Sequence, residues 1–521
     1  EIHSGDWSSD VCSSDLSTDK HEEKQILLVT HNRVRGKTEV DQFNLFQGKP
    51  RDLMIWDESL FIADARGINK IDIESALGWL KPRIENKASA KPVVKYLDKC
   101  LSILDREMKA QQQRQQKGGG KKPEVLHMPE LSRDQIEAYQ EALGKSWTVE
   151  ILKSFLNISQ SEFRVFAAGG YDSGAITYEI KVPEELENIL VLDASYDIRK
   201  LTKANVKHIN ESPWAKRHRP YIDPVKAQLD YSNVAIHHLR HKSGREALTE
   251  IQSNGKAECR LVSQEVAELV KTIPAHEGVL IFTFKTRPSD RVNFIETLKK
   301  DLKGRGIDTE AEVQLKDGTT RPRFAFLTWG QETAHNEYSY CKNVVFAGVL
   351  HRSFLDLSAN TAGEHDDLTV DLDSTDLTET RDSEIAHSVY QALSRGASRT
   401  IENGVTGKLD AYLIHGNGRV KELLDQVMPG VKWTQWEGKY LTDKGPTKTE
   451  SIRDAVKAFL ETYQGQSISV KKLKDELGMG EVISKTFNRA LGKALETAQG
   501  WKKERQSIVR DRAQDYGFET A

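Results

Sequence analysis

Cysteine is scarce in this chain: four residues in 521, at positions 12, 100, 259 and 341. They are too far apart to suggest a disulfide framework or a paired-cysteine metal site. No apolar run approaches the ~18 residues that a membrane-spanning helix needs, and no charged start leads into an apolar secretory core. The expectation is therefore a cytoplasmic protein with no membrane partner. Charge of one sign is also missing, because 75 basic side chains balance 78 acidic ones. Any nucleic-acid partner would have to be met by local basic surfaces. The phosphate-loop pattern Gly-x-x-x-x-Gly-Lys-Ser/Thr is absent too. Gly118-Gly119-Gly120-Lys121-Lys122 lacks both the preceding strand and the hydroxyl residue that should follow the lysine.

What is present is an ordinary globular composition, 38% hydrophobic and 29% charged, with enough length for about three domains. Residues 1–16 stand apart. The run from Asp6 to Leu16 reads as one frame of a sequencing adapter, so fold reasoning starts at Ser17. Short apolar runs at Ile26–Thr30, Leu53–Trp56 and Ile189–Leu192 have the character of buried parallel strands. A second series runs through Val279–Phe282, Phe324–Leu327, Val344–Ala347 and Ala411–Ile414. Strands alternating with helical stretches imply an α/β architecture with sites at the strands' carboxyl ends.

Two stretches read as solvated loops: the Gln/Gly/Lys-rich segment Gln111–Lys122 and the acid-rich segment Glu364–Glu384. His237, His238 and His241 lack the spacing of a zinc site, and that segment reads as a basic surface. After Lys444-Gly445-Pro446, amphipathic segments at Val470–Leu477 and Ser484–Leu495 flank Gly478-Met479-Gly480, a helix-turn-helix spacing.

Asp57-Glu58 closing an apolar strand suits a nucleotide hydrolase. The first carboxylate can hold magnesium and the second can orient the attacking water. An acidic pair in that place also serves as a helix cap or surface turn. Other segments follow in a telling order. Met54–Ser59 resembles the Walker B (DEAD/DEAH) motif of superfamily two helicases, and Leu192–Ser195 resembles their Ser-Ala-Thr coupling motif. Val279–Lys285 is similar to the strand opening the second motor domain. Leu327–Gly330 is similar to a motif touching the nucleic-acid backbone, and Gln391–Arg399 resembles the arginine-finger motif.

The resemblance implies two RecA-like parallel-sheet domains, 17–205 with a helical insertion at about 70–160, and 206–440, followed by a winged-helix-like domain at 447–521. It implies ATP and magnesium as cofactors and DNA or RNA as partner. Asp57 would hold the metal, Glu58 the water, and Gln391, Arg395 and Arg399 the nucleotide. Asp193 and Ser195 would couple hydrolysis to movement. Thr30, His31, Thr328 and Gly330 would meet nucleic acid, as would Lys485, Arg489 and Lys493 of the C-terminal domain. Arg399 falls one residue later than in the commonest form of its motif, which leaves a surface salt bridge as its other reading. The family's phosphate loop precedes the Thr-His pair, where the adapter-like residues stand. The chain as given is therefore expected to bind ATP poorly and hydrolyse none measurably. The alternative is a non-catalytic DNA-binding or regulatory protein on a degenerate motor fold.

Overall fold

The computed structural model describes residues 31–35, 44–82, 91–116, 123–127, 130–143, 161–168, 172–183, 186, 189–205, 207, 229–250, 258–287, 290, 292–331, 337–498 and 500–510. The strands used below are β1 (Met54–Asp57), β2 (Ala63–Asn69), β3 (Val125–His127), β4 (Glu162–Ala167), β5 (Ser173–Ile180), β6 (Ile189–Leu192), β7 (Val234–Leu239), β8 (Gly278–Thr283), β9 (Phe324–Thr328), β10 (Cys341–Phe346), β11 (Leu409–Ile414), β12 (Lys432–Gln435), β13 (Ser467–Ser469), β14 (Trp501–Glu504) and β15 (Ser507–Arg510). The helices are α1 (Lys70–Leu80), α2 (Lys91–Gln116), α3 (Arg133–Leu143), α4 (Glu258–Thr272), α5 (Phe294–Gly304), α6 (Phe354–Glu364), α7 (Ser374–Leu393), α8 (Arg419–Val427), α9 (Lys448–Thr462), α10 (Val470–Glu476) and α11 (Ser484–Thr497).

The chain forms two compact units that are not contiguous in sequence. The first comprises 1–228, 351–390 and 426–428, and the second comprises 229–350, 391–425 and 429–521. The segment 351–390 thus joins the first unit, whereas the division at 205/206 assigned it to the second.

In the first unit β1 and β6 form a two-stranded parallel ladder. Beside it stands a four-stranded antiparallel sheet in the order β2-β5-β4-β3. Its core gathers Ile73, Leu77, Leu80, Leu97 and Leu104 from α1 and α2 with Phe163 and Val165 from β4. The expected helical insertion is therefore a helix-and-sheet layer. Strand β2 (Ala-Asp-Ala-Arg-Gly-Ile-Asn) has no apolar run to announce it, and pairing with β5 over its whole length sets its conformation.

Helix α2 also runs through to Gln116 instead of giving way to a loop at Gln111. The Gln111 side chain donates to the Val165 carbonyl at 2.6 Å, which ties that turn to β4. The acidic stretch is corrected as well. Glu364 ends α6, Glu384 lies in α7, and Glu364, Asp382 and Glu384 are all buried.

The second unit carries a six-stranded parallel sheet in the order β9-β8-β10-β11-β7-β12, every neighbouring pair being parallel. Every residue of β8 is buried, as a central strand covered on both faces requires. The C-terminal segment of this unit runs α9, β13, α10, α11, β14, β15. Its small sheet is ordered β13-β15-β14, around a separate core of Val456, Leu473, Phe487, Leu491 and Ile508. No helix among the described residues is long and apolar enough to cross a membrane.

Candidate active site

Parallel pairing sets Asp57 beside Leu192, and the Glu58 N–H adds one more rung to the Leu192 carbonyl at 2.9 Å. Alternation along β1 sends Trp56 into a cluster with Leu60, Val182 and Leu186, so the neighbouring Asp57 must face the other way and is exposed. Glu58 has a φ of 65°, the left-handed region that a residue with a side chain occupies only when its surroundings hold it there. Such strain concentrates at functional loops.

The loop is held from behind by buried polar groups. Ser59 donates to Asp193 and accepts from Arg199 at 2.6 Å. Asp193 in turn accepts from the Ser195 N–H at 2.8 Å and its hydroxyl at 2.6 Å. The Ser195 hydroxyl lies 2.7 Å from His387 Nδ1. Because its proton is committed to Asp193, His387 is left to donate from Nδ1.

Arg199 is packed over the Phe61 ring at 4.5 Å and grips Glu384 with two bonds of 2.7 and 2.8 Å. Arg352 adds a third bond to the same carboxylate at 2.8 Å. Burial by itself would push Glu384 up, but the two guanidiniums outweigh it and hold the carboxyl at about 2. Burial lowers His387 to about 4, with the Arg199 charge adding to it, so the ring is neutral at physiological pH. Thr380, Glu384 and His387 fall on one face of α7 at helical spacing.

This arrangement joins Ser59, Asp193, Ser195 and Arg199 to α7 of the same unit. Asp57 and Asp193–Ser195 belong to adjacent strand ends, as the motif order suggests. Arg199, Arg352, Glu384 and His387 were missed by sequence reasoning. The 185 residues between Arg199 and Glu384 leave no local signal, and the acidic surroundings of Glu384 suggested solvent.

The other candidates are dispersed. Thr30 lies outside the described residues. His31 starts a short helix and stacks on Trp56 at 4.3 Å, with burial lowering its pKa. Thr328 ends β9, and both its N–H and its hydroxyl bond to the Gln331 side chain, at 2.8 and 3.0 Å. Gly330 turns there with a φ of 100°.

Gln391 lies in the last turn of α7. Arg395 is 5% exposed just beyond it, and Arg399 is exposed, with no ion pair among the described residues. Lys485 and Arg489 are exposed on α11, Lys493 is half-buried, and all three lack an ion pair among the described residues. Helix α9 ties this segment to the rest of its unit. Glu450 accepts from the Gly418 N–H at 2.7 Å, and Arg453 pairs with Glu422.

The histidines do not form a basic surface. His237 stacks on Tyr412 and meets Asp410, buried His238 donates to the His415 carbonyl at 2.8 Å, and buried His241 meets Glu258.

No family model and no curated protein matches the chain. A solved chain described as "XPD_APO" is similar over 72% of this chain and 73% of its own, with 14% identity and a TM-score of 0.33.

Proposed function

We propose that this protein is an ATP-driven motor of the superfamily two helicase type, moving on or unwinding nucleic acid. In this reading β1 and β6 belong to a first RecA-like domain, the six-stranded parallel sheet is the second, and α9 to β15 form a winged helix. One observation carries it. An exposed Asp57 and a strained Glu58 stand at the carboxyl end of a parallel strand, and the loop after the neighbouring strand is bonded to them through Ser59. Parallel strands collect catalytic groups at that end.

Asp57 is suited to magnesium because its carboxylate is open and has no ion pair among the described residues. Bound magnesium would neutralise phosphate charge. Glu58 would orient the attacking water, and the Asp193–Ser195 loop would carry the change in nucleotide state into the Arg199–Glu384 cluster. Arg395 and Arg399 would supply positive charge to the phosphates.

On α11, Lys485, Arg489 and Lys493 recur at four-residue intervals, one helical face that would follow a phosphate backbone. The test of the motor reading is ATP hydrolysis that is stimulated by nucleic acid once a phosphate-binding loop is supplied ahead of His31, and that is lost in Glu58→Gln. Stimulated hydrolysis that survives Glu58→Gln refutes the assignment of Glu58.

A further inference from the structure

Strand β12 is an edge of the six-stranded sheet and, among the described residues, pairs with β7 alone. The parallel register sets His237 of β7 between Tyr412 of β11 and Thr434 of β12. Asp410 comes two residues before Tyr412, so all four side chains share one face of the sheet. His237 Nε2 lies 3.2 Å from Asp410 Oδ1, and its Nδ1 lies 2.7 Å from the Thr434 hydroxyl. The ring is stacked on Tyr412 with centroids 4.6 Å apart, which fixes its plane. A carboxylate can only accept, so Asp410 keeps the proton of the neutral ring on Nε2 and leaves Nδ1 to accept from Thr434. An acid that orients a base, which in turn takes the proton of a hydroxyl, is the arrangement that makes an alcohol nucleophilic.

Thr434 is exposed, so a substrate can reach it from solvent. A donor stands beside it. The Trp436 N–H is used on the His238 carbonyl at 3.0 Å, and alternation along the strand therefore turns the Gln435 N–H towards the open edge. A backbone N–H next to the nucleophile is suited to the negative oxygen that forms when a carbonyl is attacked. Strand β12 is held in place from both sides of Thr434, because Trp433 Nε1 donates to Asp425 at 2.7 Å and Gln435 Nε2 donates to Asp443 at 3.2 Å.

We propose that Thr434 is the nucleophile of a second active site, which takes the acyl group of a small activated ester. The Thr434 oxygen bonds to the carbonyl carbon, and its proton passes to His237 Nδ1. That proton leaves with the departing alcohol oxygen as the ester C–O bond breaks. Water then hydrolyses the acyl-threonine with the same base. None of these residues is among those assigned to nucleotide or nucleic acid, and the proposal does not depend on the motor reading.

The experiment treats the full chain with 4-nitrophenyl acetate and locates the acetyl group by peptide mass spectrometry, since surface lysines also release nitrophenolate. Acetyl on Thr434 is expected, and Thr434→Ser should keep it at that position. His237→Gln should slow acetylation there at least about 100-fold, the low end for loss of a general base. Asp410→Asn should slow it roughly tenfold or more by freeing the ring to turn. Hydrogen exchange of β12 in each variant separates lost chemistry from a loosened strand. If His237→Gln loosens β12, Asp410→Asn decides on an intact ring. The proposal is overturned if acetyl is found on lysines and not on Thr434. It is equally overturned if Thr434 is acetylated at an unchanged rate in His237→Gln or, where that variant is loosened, in Asp410→Asn.

Discussion

Removing the Glu384 carboxylate should loosen the first unit more than any other single truncation on α7. The side chain accepts two bonds from Arg199 and one from Arg352, and Arg199 is itself 8% exposed. Among the described residues, Glu384→Ala therefore leaves the buried guanidinium with only the Ser59 hydroxyl and the Phe61 face for company. Breaking a buried pair from one side costs about 3–5 kcal/mol. Linkage gives a similar size. Lowering the carboxyl from 4.5 to about 2 corresponds to about 3 kcal/mol.

The sign follows from the depressed value: this stability is present above the unfolded pKa of about 4.5 and is lost as pH falls towards 2. Hydrogen exchange of peptides from α7 reads the local opening without assuming that a two-unit chain unfolds in one step. Glu384→Ala should speed exchange there by about 100-fold or more at pH 7. The Arg199→Met, Glu384→Ala double variant should recover much of the loss, because it no longer buries a lone charge. An acceleration below about fivefold for Glu384→Ala would mean that solvent or another group already satisfies Arg199, and the argument from burial would fail.

Three further outcomes follow from the same geometry. Burial raises Glu364 to about 7, so its stabilising contribution is complete at low pH and is lost as pH rises through 7. Glu364→Gln should therefore stabilise the first unit by up to about 3 kcal/mol at pH 8 and have little effect at pH 4, measured by thermal melts at both. A Cβ on Gly363 would come within 2.6 Å of the Ala63 Cβ, where α6 crosses β2. Gly363→Ala should cost about 1–3 kcal/mol through overpacking, and an unchanged melting temperature would contradict that close approach. Alanine at Lys485, Arg489 and Lys493 together should weaken duplex binding alike across sequences, read by fluorescence anisotropy. The salt slope should fall by about one unit for each phosphate that is no longer neutralised.

Much of the second unit was legible. Val279–Phe282, Val344–Ala347 and Ala411–Ile414 are apolar because both faces of a parallel sheet are covered, and they form β8, β10 and β11. The strand ends at Asp57 and Asp193 were legible from apolar runs too, but those runs are not buried on both faces as expected: Ile55, Leu190 and Leu192 are exposed. The rest was hidden by long-range compensation. Glu364 and Glu384 look like solvated charges until Arg199, Arg352 and a backbone N–H from distant segments are brought to them. Strand β2 is polar by composition, and its conformation comes from pairing with β5, about 110 residues on, which no window of local propensity contains.

In the proposed motor, Asp57 and Glu58 are the catalytic carboxylates of a nucleic-acid-driven ATPase. The most direct measurement is phosphate release from ATP and magnesium by the chain with a strand, phosphate-binding loop and helix supplied ahead of His31, with and without an oligonucleotide. Hydrolysis should rise when the oligonucleotide is added and fall at least 100-fold in Glu58→Gln, the scale of removing a group that handles the proton of the attacking water. Oligonucleotide binding with no hydrolysis above background, or hydrolysis indifferent to both Glu58→Gln and the oligonucleotide, would contradict it.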